Sequence, residues 1–78
     1  MTLHDCAPGV RVRLGRLRLP GHDRLRLSAL GFLPGHEIRV VGRGAAGGLV
    51  VALGDARYAV DADTARRIRV TAPVGADV

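Results

Sequence analysis

Four side chains in this sequence are good soft or borderline metal ligands: His4, Cys6, His22 and His36. No pair of them has the His-x-x-x-His or Cys-x-x-Cys spacing that sets two ligands on one helix face or one turn. His22 and His36 fall in turn-like segments, where a solvated histidine is the ordinary reading. His4 and Cys6 are two apart, so on an extended strand they share a face and imitate a thiol–imidazole pair. No third group is placed to orient such a pair, and no oxyanion hole is evident. The seven acidic residues are dispersed, with no obvious paired carboxylates. Gly42-Arg43-Gly44 and Gly47-Gly48 are not a phosphate loop, because no Lys-Ser follows and no helix begins there. The expectation is a non-enzymatic chain with no cofactor and no physiological metal site.

The formal charge is +5, and all 12 basic residues are arginine. A surface of this sign attracts anions. Codon bias in a GC-rich genome also produces many Arg, Ala, Gly and Val residues, and these arginines are scattered, not gathered in one run. Arg11, Arg13, Arg16 and Arg18 are the best candidates for a nucleic-acid stripe. Single-strand binders combine a basic groove with aromatic stacking platforms. The only aromatics are Phe32 and Tyr58, and Phe32 is needed for the core or the helix stop. A basic nucleic-acid-binding module is therefore the alternative reading and not the favoured one.

The elements that would position these residues are read from periodicity and punctuation. A chain of 78 residues is one domain with one modest core. Residues 10–14 alternate apolar and charged, as a half-buried strand does. The phase changes after Gly15, with Leu17 and Leu19 apolar, which predicts a bulge or sharp bend. A short helix is expected over about 24–30, capped by Asp23. In it Leu25 pairs with Ala29, and Leu27 with Leu30, on an inward arc. Gly31 supplies a left-handed stop, and Phe32 folds back on the last turn. Pro34-Gly35 fits the centre of a type II turn.

The second strand is expected over 37–43, with Ile38 and Val40 inward, followed by a flexible hairpin connection over 42–48. Residues 49–53 are apolar on both faces, as in a central strand. Gly54-Asp55 turns the chain into a strand over 57–60. Residues 61–65 read as one helical turn capped by Asp61 or Asp63, and 67–71 as the closing strand. The tail, 72–78, is expected to fray. The predicted fold is all-β: a small, partly open SH3-like barrel of about five strands with one short α-helix.

These residues resemble the FeoA family, small accessory proteins of bacterial ferrous-iron uptake. The resemblance rests on Leu3, Pro8-Gly9, Arg24-Leu25, Leu30-Gly31-Phe32-Leu33-Pro34-Gly35, Ile38-Arg39-Val40-Val41, Tyr58-Ala59-Val60, Ala65 and Ile68-Arg69-Val70. It implies an SH3-like barrel that is not an enzyme. It also implies a partner, the cytoplasmic, GTP-binding region of the ferrous-iron transporter FeoB. The same module occurs at the C-terminus of iron-dependent repressors. A chain that opens on Met1, with no room for a helix-turn-helix, is expected to be the stand-alone form. The glycine- and alanine-rich segment 42–48 departs from the family pattern.

With one cysteine, no signal-peptide pattern and no stretch near the roughly 18 apolar residues of a membrane span, the expected location is the cytoplasm, without membrane insertion. The expected docking surface is Leu33 beside Phe32, rimmed by Arg24, Arg26 and Arg39, with Arg57 and Arg67 steering an acidic partner.

Overall fold

The computed structural model describes residues 1–71; the tail expected to fray lies outside the described residues. Five strands run in chain order: β1 (Arg11–Leu17), β2 (Glu37–Arg43), β3 (Leu49–Leu53), β4 (Ala56–Val60) and β5 (Ile68–Val70). Helix α1 (Gly21–Ala29) lies between β1 and β2, and α2 (Ala62–Arg66) between β4 and β5. The strands form one sheet in the order β4-β3-β2-β1-β5, all pairs antiparallel.

The bend in β1 turns this sheet into a barrel. Residues Arg11, Val12 and Arg13 pair with β2, whereas Leu14 and Leu17 pair with β5, with a register shift between them. Burial follows the same break: Val12, Leu14 and Leu17 point inward, so the alternation slips by one residue around Gly15. At Gly15 the β5 backbone comes close. A Cβ there would meet the Arg69 carbonyl oxygen at 3.2 Å. A second register shift, between Val40 and Gly42 of β2, has no counterpart in the sequence reading. The core is wholly apolar, built from inward residues of every strand with Leu3, Cys6, Phe32 and Ala65.

Several expected elements take another form. Helix α1 begins at Gly21, directly after Pro20, whose carbonyl accepts from Arg24 N–H at 2.9 Å. Asp23 is therefore in the first turn and not at the cap, where its charge still suits the positive end of the helix. The inward arc is also corrected. No α1 residue is fully buried, only Leu27 packs against the core, and Leu25, Ala29 and Leu30 face outward. A nine-residue helix held to the core through one side chain leaves its other apolar residues in water, whatever their spacing.

The N-terminus is built in, not loose. Residues Leu3–Asp5 form a 3-10 turn. Thr2 donates from its N–H (3.0 Å) and hydroxyl (3.2 Å) to the Asp5 carboxylate. Leu3 is fully buried. Arg43 ties this segment to β2, donating to the carbonyls of His4 (3.3 Å) and Cys6 (3.2 Å). Residues 42–48 close as a hairpin tip through Gly44 N–H to the Gly48 carbonyl at 2.8 Å.

Of the two expected caps of α2, Asp63 lies in the first turn and Asp61 is the one used, accepting from Thr64 N–H at 2.7 Å. That bond holds its carboxyl below the usual carboxylate range. A lowered folded-state pKa contributes stability above the unfolded value of about 4, lost as pH falls through the folded value. Asp61→Ala should therefore lower the melting temperature at neutral pH, and the gap from the parent should close in strong acid. Thermal melts at neutral pH and at the acid end test this; a gap that persists undiminished in acid would assign the cap to packing and not to charge.

Candidate docking surface

The end of α1 and the turn after it form an apolar ledge. Leu27 carbonyl accepts from Leu30 N–H and Phe32 N–H, both at 3.0 Å, so the chain reverses tightly. Gly31 sits in this reversal at φ +105°, a conformation that a Cβ would strain. Pro34-Gly35 completes the turn with His36 N–H donating to the Leu33 carbonyl at 3.0 Å. Gly35 N–H and the Leu14 carbonyl, 2.7 Å apart, fasten the turn to β1.

Phe32 is fully enclosed. Its ring lies 5.5 Å from that of Tyr58 at a 56° tilt, a favoured aromatic geometry. The Tyr58 hydroxyl donates to the Leu30 carbonyl at 3.5 Å, a long contact. Leu30 and Leu33, which flank Phe32 in this reversal, are 43% and 38% exposed, and Leu25, on the α1 face away from Leu27, is 73% exposed. Beside them an open groove of about 560 Å³ runs between the β1 bend and α1, lined by Gly15, Arg16, Leu17, Arg24, Ser28, Phe32 and Pro34.

The expected site residues separate on this frame. Leu33 is at the surface, and Arg24 lines the neighbouring groove. Arg26 is on the exposed side of α1, 3.5 Å from Asp23. Phe32 is the floor and offers no surface of its own. Arg39 stands elsewhere, in a groove on the outer face of the sheet with Arg11 and Glu37. Arg57 belongs to that face through its pairing with Ala52, and Arg67 is 3.5 Å from Asp63. Sequence reasoning missed Leu25 and Leu30 as surface residues, because their helical spacing looked like a core stripe. It also missed Arg16 as a groove residue.

The proposed nucleic-acid stripe does not stay in one line. Arg11 and Arg13 lie beside β2, whereas Arg16 and Arg18 lie past the bend near Arg69. Tyr58 is committed to Phe32 and Leu30. The His4–Cys6 pairing also fails, since both lie in or at the 3-10 turn and not on a strand. Cys6 is buried, its thiol 3.7 Å from the Thr2 carbonyl, and burial pushes its pKa up. A protonated, enclosed thiol is a poor nucleophile. Among the described residues no three His, Cys, Asp or Glu side chains gather to hold a metal ion. None of their helices is long and apolar enough to cross a membrane.

Known proteins agree on the fold. The iron(II) transport protein A of Clostridium thermocellum superposes with a TM-score of 0.85 at 33% identity, covering 96% of this chain and 46% of its own. This chain thus spans less than half of that protein's length. FeoA of Stenotrophomonas maltophilia, solved with zinc and described as a prokaryotic SH3 domain protein, gives 0.77 at 33% identity, covering 91% and 89%. A manganese-dependent transcriptional repressor gives 0.78 at 24% identity, over 92% of this chain and 41% of its own, which shows the shared fold alone. No curated protein matches the sequence. The FeoA domain model matches residues 1–72. The chain belongs to the FeoA domain family, an SH3-like family linked to ferrous iron transport.

Proposed function

We propose that this chain is a non-enzymatic accessory protein of bacterial ferrous-iron uptake. It works in the cytoplasm by docking on the cytoplasmic part of the FeoB transporter. By binding one state of that partner better than another it biases the transporter's conformation. The observation that carries this reading is the apolar ledge of Leu30 and Leu33, exposed on either side of the buried Phe32, with Arg16 and Arg24 lining the groove at Phe32 and Pro34. An exposed apolar cluster with a charged rim has the composition of a protein–protein contact. The arginine rim supplies steering toward an acidic surface.

The test is a titration of the whole chain into the cytoplasmic domain of the cognate transporter, with single-stranded nucleic acid in parallel. Binding to the transporter domain should survive moderate salt, because burial of apolar surface carries it. Nucleic-acid binding that falls linearly on a log–log salt plot, with no transporter binding, would overturn the proposal.

A further inference from the structure

The outer face of the sheet carries a row of arginines that the ledge does not use. Arg11 of β1 is paired with Arg39 of β2, Arg39 with Ala52 of β3, and Ala52 with Arg57 of β4. Residues in register across strands share a face, so the row reads Arg-Arg-Ala-Arg, and all three arginines are exposed. The Arg11–Arg39 pair is especially close. Inter-strand hydrogen bonds fall at Val10/Val40 and at Leu14/His36, two-residue steps that leave Arg11/Arg39 a non-hydrogen-bonded pair. Such pairs bring Cα atoms to about 4.5 Å and side chains closest together. Like charges set directly opposite destabilise a sheet.

Little in the described residues offsets this. Glu37, diagonal to the pair, lies 3.6 Å from Arg11, and no ion pair among the described residues involves Arg39 or Arg57. Beside Arg11, Arg39 and Glu37 the floor is cut low by Ala52 with Gly9 and Gly54, leaving an open trough of about 680 Å³. A strip of cations over a small-residue floor is complementary to an anion.

The geometry points to this row as a binding site for the carboxylates of an acidic, extended peptide segment from a partner protein. Strand spacing puts Arg11 and Arg39 about 5 Å apart and Arg39 and Arg57 about 10 Å apart. Carboxylates two or three residues apart on an extended chain, about 7–10 Å, match that interval. Guanidinium groups are suited to bidentate carboxylate pairing. A single-stranded nucleic acid fits less well, because Tyr58 alternates with Arg57 and packs on Phe32, leaving this face no stacking platform. The row is separate from the α1 ledge and stands whether or not the transporter is the ledge's partner.

The experiment titrates the full chain with a short alternating Glu-Gly peptide, with inorganic phosphate and a single-stranded oligonucleotide as parallel ligands. The peptide should bind, with salt-sensitive affinity. Arg39→Gln and Arg57→Gln should each weaken it about 3- to 5-fold, as loss of an exposed charge pair does. Glu37→Gln should tighten it about 3-fold by removing the competing carboxylate. Arg66→Gln and Leu33→Asp should leave it unchanged. The assignment is overturned if the peptide does not bind or if the Arg39 and Arg57 variants bind it as the parent does. It is equally overturned if phosphate or the oligonucleotide binds more tightly than the peptide.

Discussion

Phe32→Ala should cost about 3–5 kcal/mol of unfolding free energy, the range for emptying a buried aromatic site. A domain of 78 residues has roughly 4–12 kcal/mol in total, so this one truncation removes a large share. The cost is high here because Phe32 has no exposed surface and its ring packs on Tyr58. Helix α1 has little else to hold it, since Leu27 is its one side chain packed against the core. Urea denaturation of the variant should show a midpoint lowered by a molar or more, given a slope of about 1–3 kcal/mol per molar. Leu25→Ala, at 73% exposure, should change the unfolding free energy by less than about 0.5 kcal/mol. If the two variants fall together, Phe32 is not what anchors the helix.

The same contrast explains what the sequence could reveal about the fold. Strand alternation, the phase slip at Gly15 and the Pro34-Gly35 turn are local rules, and each is present as expected. The Asp61 cap is local too. The misreadings come from tertiary placement. Leu25, Leu27, Ala29 and Leu30 have core-like spacing, yet only Leu27 packs against the core and the other three are exposed. Leu3 is the reverse case: one apolar residue in a polar stretch, without periodicity, that fills a gap beside α2 and β5. A signal for it was present in Thr2-x-x-Asp5, a capping pattern that the structure uses.

The candidate site divides along the same line. Leu33 was legible because it follows a forced reversal and precedes a forced turn, which together bring it to the surface. The rim was not, because which arginines share a face depends on strand register. Arg39 looked close to Leu33 in sequence, but pairing with Arg11 and Ala52 sets it on the sheet's outer face. Arg16 looked like one tooth of a stripe, and the β1 bend turns it into the groove beside Arg24.

Leu33→Asp should reduce binding to the transporter's cytoplasmic domain by about 100-fold or more while leaving the chain folded. Docking covers only the 38% of Leu33 still exposed, so losing it removes about 0.6–1.1 kcal/mol, and enclosing a carboxylate in its place adds a desolvation cost of several more. The nearby arginines would recover part of that cost, so Leu33→Ala, with no charge to pair, should lose only the first part, about 3- to 6-fold. Leu25→Asp tests whether the contact extends along α1 to its most exposed leucine, where the folding cost is limited to helix propensity. Arg24→Gln should act differently, slowing association and flattening its salt dependence with little change in dissociation. A leucine series that weakens binding equally at low and moderate salt, beside an arginine variant felt only at low salt, identifies an apolar contact steered by charge. If Leu33→Asp and Leu25→Asp bind as the parent does, the ledge is not the docking surface, however the family is regulated.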